Sequence, residues 1–123
     1  MEWPYDKSAG LPDGTLLFAQ FKLADHLFNA MSGTGEHKFD FNEAFSFVVN
    51  CKEQNEVDYY WNRLTSDGGM ESQCGWLKDK FGLSWQVVPS ILGKLMSDLE
   101  RSQRVMNAFL QMKKFDIQKL MDA

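Results

Sequence analysis

The order of segments between residues 44 and 88 constrains this chain more than any other feature of its sequence. Ala44 to Cys51 is rich in β-branched and aromatic residues and reads as a strand. Glu53 to Thr65 carries Val57, Tyr60, Trp61 and Leu64 at helical spacing with polar residues between them, and Asp67-Gly68-Gly69 ends that helix because glycine tolerates the left-handed C-terminal conformation. Gly75 to Asp79 and Leu83 to Val88 are short strands about a turn at Lys80-Phe81-Gly82, the second closed by Pro89, which has no N–H to give a ladder. A strand, a helix, then two or three antiparallel strands make one βαβββ module, and the chain is α+β.

The flanking segments are arranged around that module. Residues 1–14, with Pro4, Gly10, Pro12 and Gly14 among polar residues, read as an N-terminal arm. In Thr15 to Leu23, period two places Leu17, Ala19, Phe21 and Leu23 on one face. A turn at Ala24-Asp25-His26 returns the chain along Leu27 to Met31, which Ser32-Gly33-Thr34-Gly35 stops. Residues 15–43 therefore look like the remnant of an earlier module, residues 44–89 are the complete one, and residues 90–123 are a helical extension. In that extension Ser97 and Glu100 stand at capping-box spacing, Leu99, Val105, Met106, Phe109 and Leu110 form an apolar stripe, and a last helix starts near Asp116.

Charge and composition narrow the function. A net charge of -4, with Lys113-Lys114 the only adjacent basic pair, argues against a nucleic-acid backbone as partner. No apolar run reaches the roughly 18 residues needed to span a bilayer. Met1 to Asp6 carries neither the basic nor the apolar region of a signal peptide, and Cys51 and Cys74 do not make a disulfide framework, so a cytoplasmic protein with reduced thiols is expected. Aromatic residues make up 14% of the chain, which suits either an aromatic-lined cavity or a core filled by large side chains.

The run Phe39 to Cys51, then Glu56-Val57-Asp58 with Trp61, and above all the block Gln73 to Pro89 closely resemble the PhnB-like family of the glyoxalase/bleomycin-resistance (vicinal oxygen chelate) superfamily. Its members are often labelled 3-demethylubiquinone-9 3-methyltransferase-like. Arg104-Val105-Met106, Met112-Lys113-Lys114 and Asp116-Ile117 are similar too, so the likeness runs from about Gly14 to Ala123. It implies two βαβββ modules curved into an open barrel, a homodimer with or without exchanged elements, and sites in the concave sheets. The first strand, the first helix and most of the second strand of the first module have no counterpart before Gly14, and the sheet edge left behind needs a cover.

The same resemblance locates possible chemistry. Catalytic members of the superfamily hold a divalent metal at the start of each module's first strand and near the end of its last. Here those positions of the second module fall near Ala44, which cannot ligate, and at Gln86, a weak neutral ligand. His26 in a turn and His37 in a loop have no second ligand at useful spacing, so no metal and no cofactor are expected. Gly33-Thr34-Gly35 precedes a strand rather than a helix, unlike the Gly-rich loop on which a nucleotide-type cofactor of a methyltransferase would sit. Cys74 reads as a structural thiol, with a reactive one as the alternative. Phe47, Val49, Gln73, Cys74, Trp76, Ser84 and Gln86 are the residues expected around a small-molecule ligand, although the same mixture also describes a packed core. Two functions remain open: binding by enclosure in a dimeric half-barrel, and a metal-dependent lyase, isomerase or dioxygenase; the methyltransferase of the label is the third.

Overall fold

The computed structural model describes residues 2–3, 15–33 and 36–123. The chain divides into two compact units, Met1–Phe39 and Asp40–Ala123.

The first unit is a three-stranded antiparallel sheet in the order β1-β2-β3, with β1 at Glu2–Trp3, β2 at Phe18–Leu23 and β3 at His26–Met31. The arm expected over residues 1–14 lies outside the described residues except at this first strand, where Glu2 pairs with Ala19 and Trp3 with Phe18. A two-residue strand therefore lies within the segment read as an arm. Ala24 and Asp25 both adopt positive φ (46° and 67°), the two-residue turn whose twist matches a β-hairpin. Gln20 donates to Asn29 (3.1 Å) across the pair, and Phe21 stacks on Phe28 with ring centroids 5.7 Å apart. None of residues 15–33 is fully buried.

The second unit holds the βαβββ module. Strand β4 (Ser46–Cys51) leads into helix α1 (Gln54–Thr65), followed by β5 (Met70–Glu71), β6 (Trp76–Lys78) and β7 (Ser84–Pro89). The sheet order is β4-β7-β6-β5; β4 runs parallel to β7, and the other pairs are antiparallel. First and last strands are thus neighbours, which the α1 crossover makes possible. Helix α1 buries Val57 and Trp61, two of the positions its periodicity marked, against Cys51, Leu77 and Val87 of the sheet. It ends where the chain turns left-handed at Asp67 (φ 56°) and Gly68 (φ 107°).

The extension forms α2 (Ile91–Ser97), α3 (Ser102–Phe109) and α4 (Ile117–Asp122), which bury Leu95, Val105, Phe115 and Leu120 in a second cluster that reaches the sheet at Val88. The capping box at Ser97 and Glu100 is not formed. Ser97 instead closes α2 by donating to the Lys94 carbonyl (2.8 Å), and Asp98 nucleates the next turn, its carboxylate accepting from the Glu100 N–H (3.1 Å). Leu99, placed in the apolar stripe by spacing, sits in that inter-helix turn and is 90% exposed. Asp116 caps α4 as expected, accepting from the Lys119 N–H. Gln54 of α1 ties the extension down: its amide donates to the Phe115 carbonyl (3.0 Å) and to Asp58, and its carbonyl accepts from the Ile117 N–H (2.8 Å).

Candidate functional site

Strand register sorts the predicted site residues onto two faces. Because Cβ atoms alternate, directly paired residues share a face. Phe47 faces Trp85, Val49 faces Val87 and Cys51 faces Pro89 across β4 and β7, and Leu77 faces Trp85 across β6 and β7. This set lies on the side covered by α1, where Val49 and Trp85 pack against the core cluster and the Phe47 and Trp85 rings sit 5.2 Å apart. The opposite face, open apart from Val88, which packs against the helical extension, carries Ser46, Val48 and Asn50 of β4, Ser84, Gln86 and Val88 of β7, Trp76 and Lys78 of β6, and Met70 of β5. Phe47 and Val49 therefore belong to the helix side, while Trp76, Ser84 and Gln86 come together on the open one. Trp76 and Trp85 are divided between the two.

Gln73 and Cys74 lie in the loop before β6. The Cys74 N–H donates to the Met112 carbonyl (2.8 Å) and its thiol lies 3.6 Å from the Phe109 carbonyl, so this segment is committed to the helical extension. Lys78, the nearest cation to Cys74 in sequence terms, is ion-paired with Glu43 instead.

A cavity of about 380 Å³ opens on this face, lined by Glu43, Met70, Trp76, Lys78 and Ser84 among others. Ser84 is 1% exposed, and its hydroxyl makes no hydrogen bond among the described residues. A buried hydroxyl without a partner costs stability that a folded chain ordinarily recovers, which makes Ser84 a candidate for contact with a ligand or a water. Beside it, the Gln86 amide donates to the Ser46 hydroxyl (3.0 Å). Glu43 and Lys78 were not in the expected set. Lys78 was legible, two residues from Trp76 on the same strand, whereas Glu43 sits in a segment without periodicity. A larger groove of about 640 Å³ runs between the start of α1 and the extension. There Lys114 pairs with Asp58 (2.8 Å) and Gln54 holds the tail, and none of the site residues expected from the sequence lines it.

The two positions that the resemblance marks for a metal carry no strong ligand. Ala44 offers a methyl group, Gln86 turns its amide N–H onto Ser46, and among the described residues no three of His, Cys, Asp and Glu are grouped to ligate an ion. After β3 the next described element is β4, so Gly33 does not open a helix. No described helix is long and apolar enough to cross a membrane.

The surroundings of Cys51 favour its neutral thiol. Burial, with the Glu56 charge adding to it, pushes its thiol from the usual 9.0 up to about 11. The neutral thiol is thus favoured by the fold, a contribution fully present below pH 9 and lost as pH rises towards 11, where the folded thiol finally ionises as well. Denaturant titrations at several alkaline pH values should show wild type losing stability faster than Cys51→Ala across that window. Parallel curves would remove the burial argument.

These features define an α+β protein built on a glyoxalase-type βαβββ module, with one sheet face under a helix and the other left open around a small cavity. The chain belongs to the 3-demethylubiquinone-9 3-methyltransferase family, whose model matches residues 2–88. The match begins at Glu2 rather than near Gly14 and so takes in β1. Among solved structures, the chain is similar to a PhnB protein from Bacillus cereus that carries the same methyltransferase label, with 29% identity over 73% of this chain and 77% of that one and a TM-score of 0.66. No curated protein matches the chain.

Proposed function

We propose that this chain is a small-molecule-binding protein that works as a homodimer and holds its ligand on the open sheet face around Trp76, Lys78 and Ser84. The observation that carries this reading is the buried, unpartnered Ser84 hydroxyl in the wall of the cavity, with Trp76 and Met70 as apolar surface beside it. A mainly apolar concavity with a few convergent polar groups is the usual form of a ligand site. Dimerisation is supported by the first unit, whose Phe21, Leu23, Leu27 and Met31 are all exposed in the single chain. An apolar hairpin of that kind gains stability when a partner covers it.

The test uses two probes of the same shape, benzamide and benzoate. Saturation-transfer NMR should detect at least one of them on the wild type, with the signal lost in Trp76→Ala. Silence from both, or a signal indifferent to that substitution, would remove the cavity as the site. Sedimentation velocity should show a dimer at micromolar concentration; a monomer there ends the dimer part of the reading.

A further inference from the structure

The cavity has a charge arrangement from which the kind of ligand can be read, given that it binds small molecules at all. Ser46, Ser84 and Lys78 form one row across β4, β7 and β6, each directly opposite the next. Glu43, three residues before Ser46 in the segment leading into β4, forms an ion pair with Lys78. The pair therefore bridges from the β4 side to β6, across the strand on which Ser84 stands. Glu71 also lines the cavity, but its register places it on the helix side, where its carboxylate accepts from the Trp61 indole N–H (2.7 Å). Among the described residues that line the cavity, the charges left on the open face are thus one ammonium and one carboxylate, and the carboxylate belongs to a loop.

We propose that the site takes a small aromatic carboxylate, and that Glu43 is the chain's own stand-in for the ligand's carboxylate, released from Lys78 when the ligand arrives. A carboxylate has two oxygens that accept hydrogen bonds, and Lys78 and Ser84 are the two donors facing one another across β6 and β7. Glu43 is bonded to Lys78 and leaves the Ser84 hydroxyl without a partner; a ligand carboxylate seated in the cavity satisfies both. Trp76, two residues from Lys78 on the same face, then lies where the aromatic body of such a ligand would rest. Exchange is inexpensive because the Glu43 side chain is already 64% exposed and goes to water without further cost, and ion pairs this exposed contribute little to stability. The hydrogen bond from Lys78, followed by one from its own backbone N–H, holds the Glu43 carboxyl below the usual carboxylate range, so the competitor stays charged at neutral pH.

Calorimetric titration of the full chain with benzoate and benzamide tests this. Benzoate should bind roughly tenfold more tightly than its neutral analogue, because a charge-assisted bond replaces a neutral one. Glu43→Gln should tighten benzoate by roughly threefold, the worth of an exposed ion pair removed from competition, and leave benzamide unmoved. Ser84→Ala should weaken benzoate while raising the melting temperature of the free protein, since it deletes an unsatisfied group. The melting curve also certifies that this variant is folded. Benzamide binding as tightly as benzoate, with both indifferent to Glu43→Gln, overturns the carboxylate assignment and leaves the cavity reading standing. Failure of both probes to bind takes down the cavity reading and this inference with it.

Discussion

Gly75→Ala is expected to cost about 2–5 kcal/mol. The figure has two independent sources. Gly75 has φ +80°, a conformation in which an L-residue carries a penalty of about 1–2 kcal/mol. A Cβ there would also lie 2.4 Å from the Phe115 ring and 2.9 Å from the Val87 carbonyl oxygen, an overpacking that typically costs about 1–3 kcal/mol. Neither neighbour yields easily. Phe115 is 2% exposed at the heart of the helical cluster, and the Val87 N–H donates to the Gly75 carbonyl (2.8 Å). The Gly75 N–H in turn bonds Lys113 (2.8 Å), so the position joins the module to its extension. Denaturant unfolding of Gly75→Ala, Phe115→Leu and the double variant checks both halves. The smaller side chain should recover part of the loss, giving a coupling of at least about 0.5 kcal/mol. A Gly75→Ala protein within about 0.5 kcal/mol of wild type would mean that the extension does not sit where it is described.

Asp79→Ala is the second large effect, with an expected loss of about 2–4 kcal/mol, because three hydrogen bonds to one carboxylate disappear together. One oxygen accepts from the Phe81 N–H (2.9 Å) and the Leu83 N–H (3.0 Å), which shapes the turn between β6 and β7. The other accepts from the Trp85 indole N–H (2.9 Å) and so fixes the ring that packs against the module core. Asp79→Asn separates the two roles. Its amide oxygen can still receive the turn N–H groups, but its NH₂ cannot accept from the indole. The asparagine variant should therefore lose less stability than the alanine variant while showing the same change in Trp85 near-ultraviolet circular dichroism. Equal losses for both, with that band unchanged, would show that Asp79 is not what positions Trp85.

The module was legible because its segments carry strong local signals. Val57 and Trp61 on the helix, the glycines after it, and the turn between β6 and β7 all act within a few residues of where they are written, and the structure follows them. Errors arose where two local signals compete. Ser97 and Glu100 satisfy the spacing of a capping box, yet Ser97 is claimed by the turn before it and Asp98 supplies the next. The site was legible by composition and not by face. Phe47 and Val49 have the apolar character of a cavity wall, but the parallel register of β4 on β7 decides which way they point, and that pairing is set by contacts far apart in the sequence. Ser84 was identified as a site residue on general grounds, although nothing in the sequence indicates that its hydroxyl would be buried alone. Glu43 was invisible because an ion pair to Lys78 has no sequence pattern.

The pairing of β4 with β7 also bears on how the second unit is made. Its first strand finds its hydrogen-bonding neighbour only in its last, Ser46 opposite Ser84 and Cys51 opposite Pro89. A chain emerging from a ribosome therefore carries β4 and α1 through the exit with no sheet to join until the final strand is out, and closing so long an interval precedes any return in contacts. During that time Val48 and Val49 belong to an unpaired strand. A nascent chain halted just short of Ser84 is therefore expected to leave β4 unpaired, the kind of exposed strand that chaperones hold.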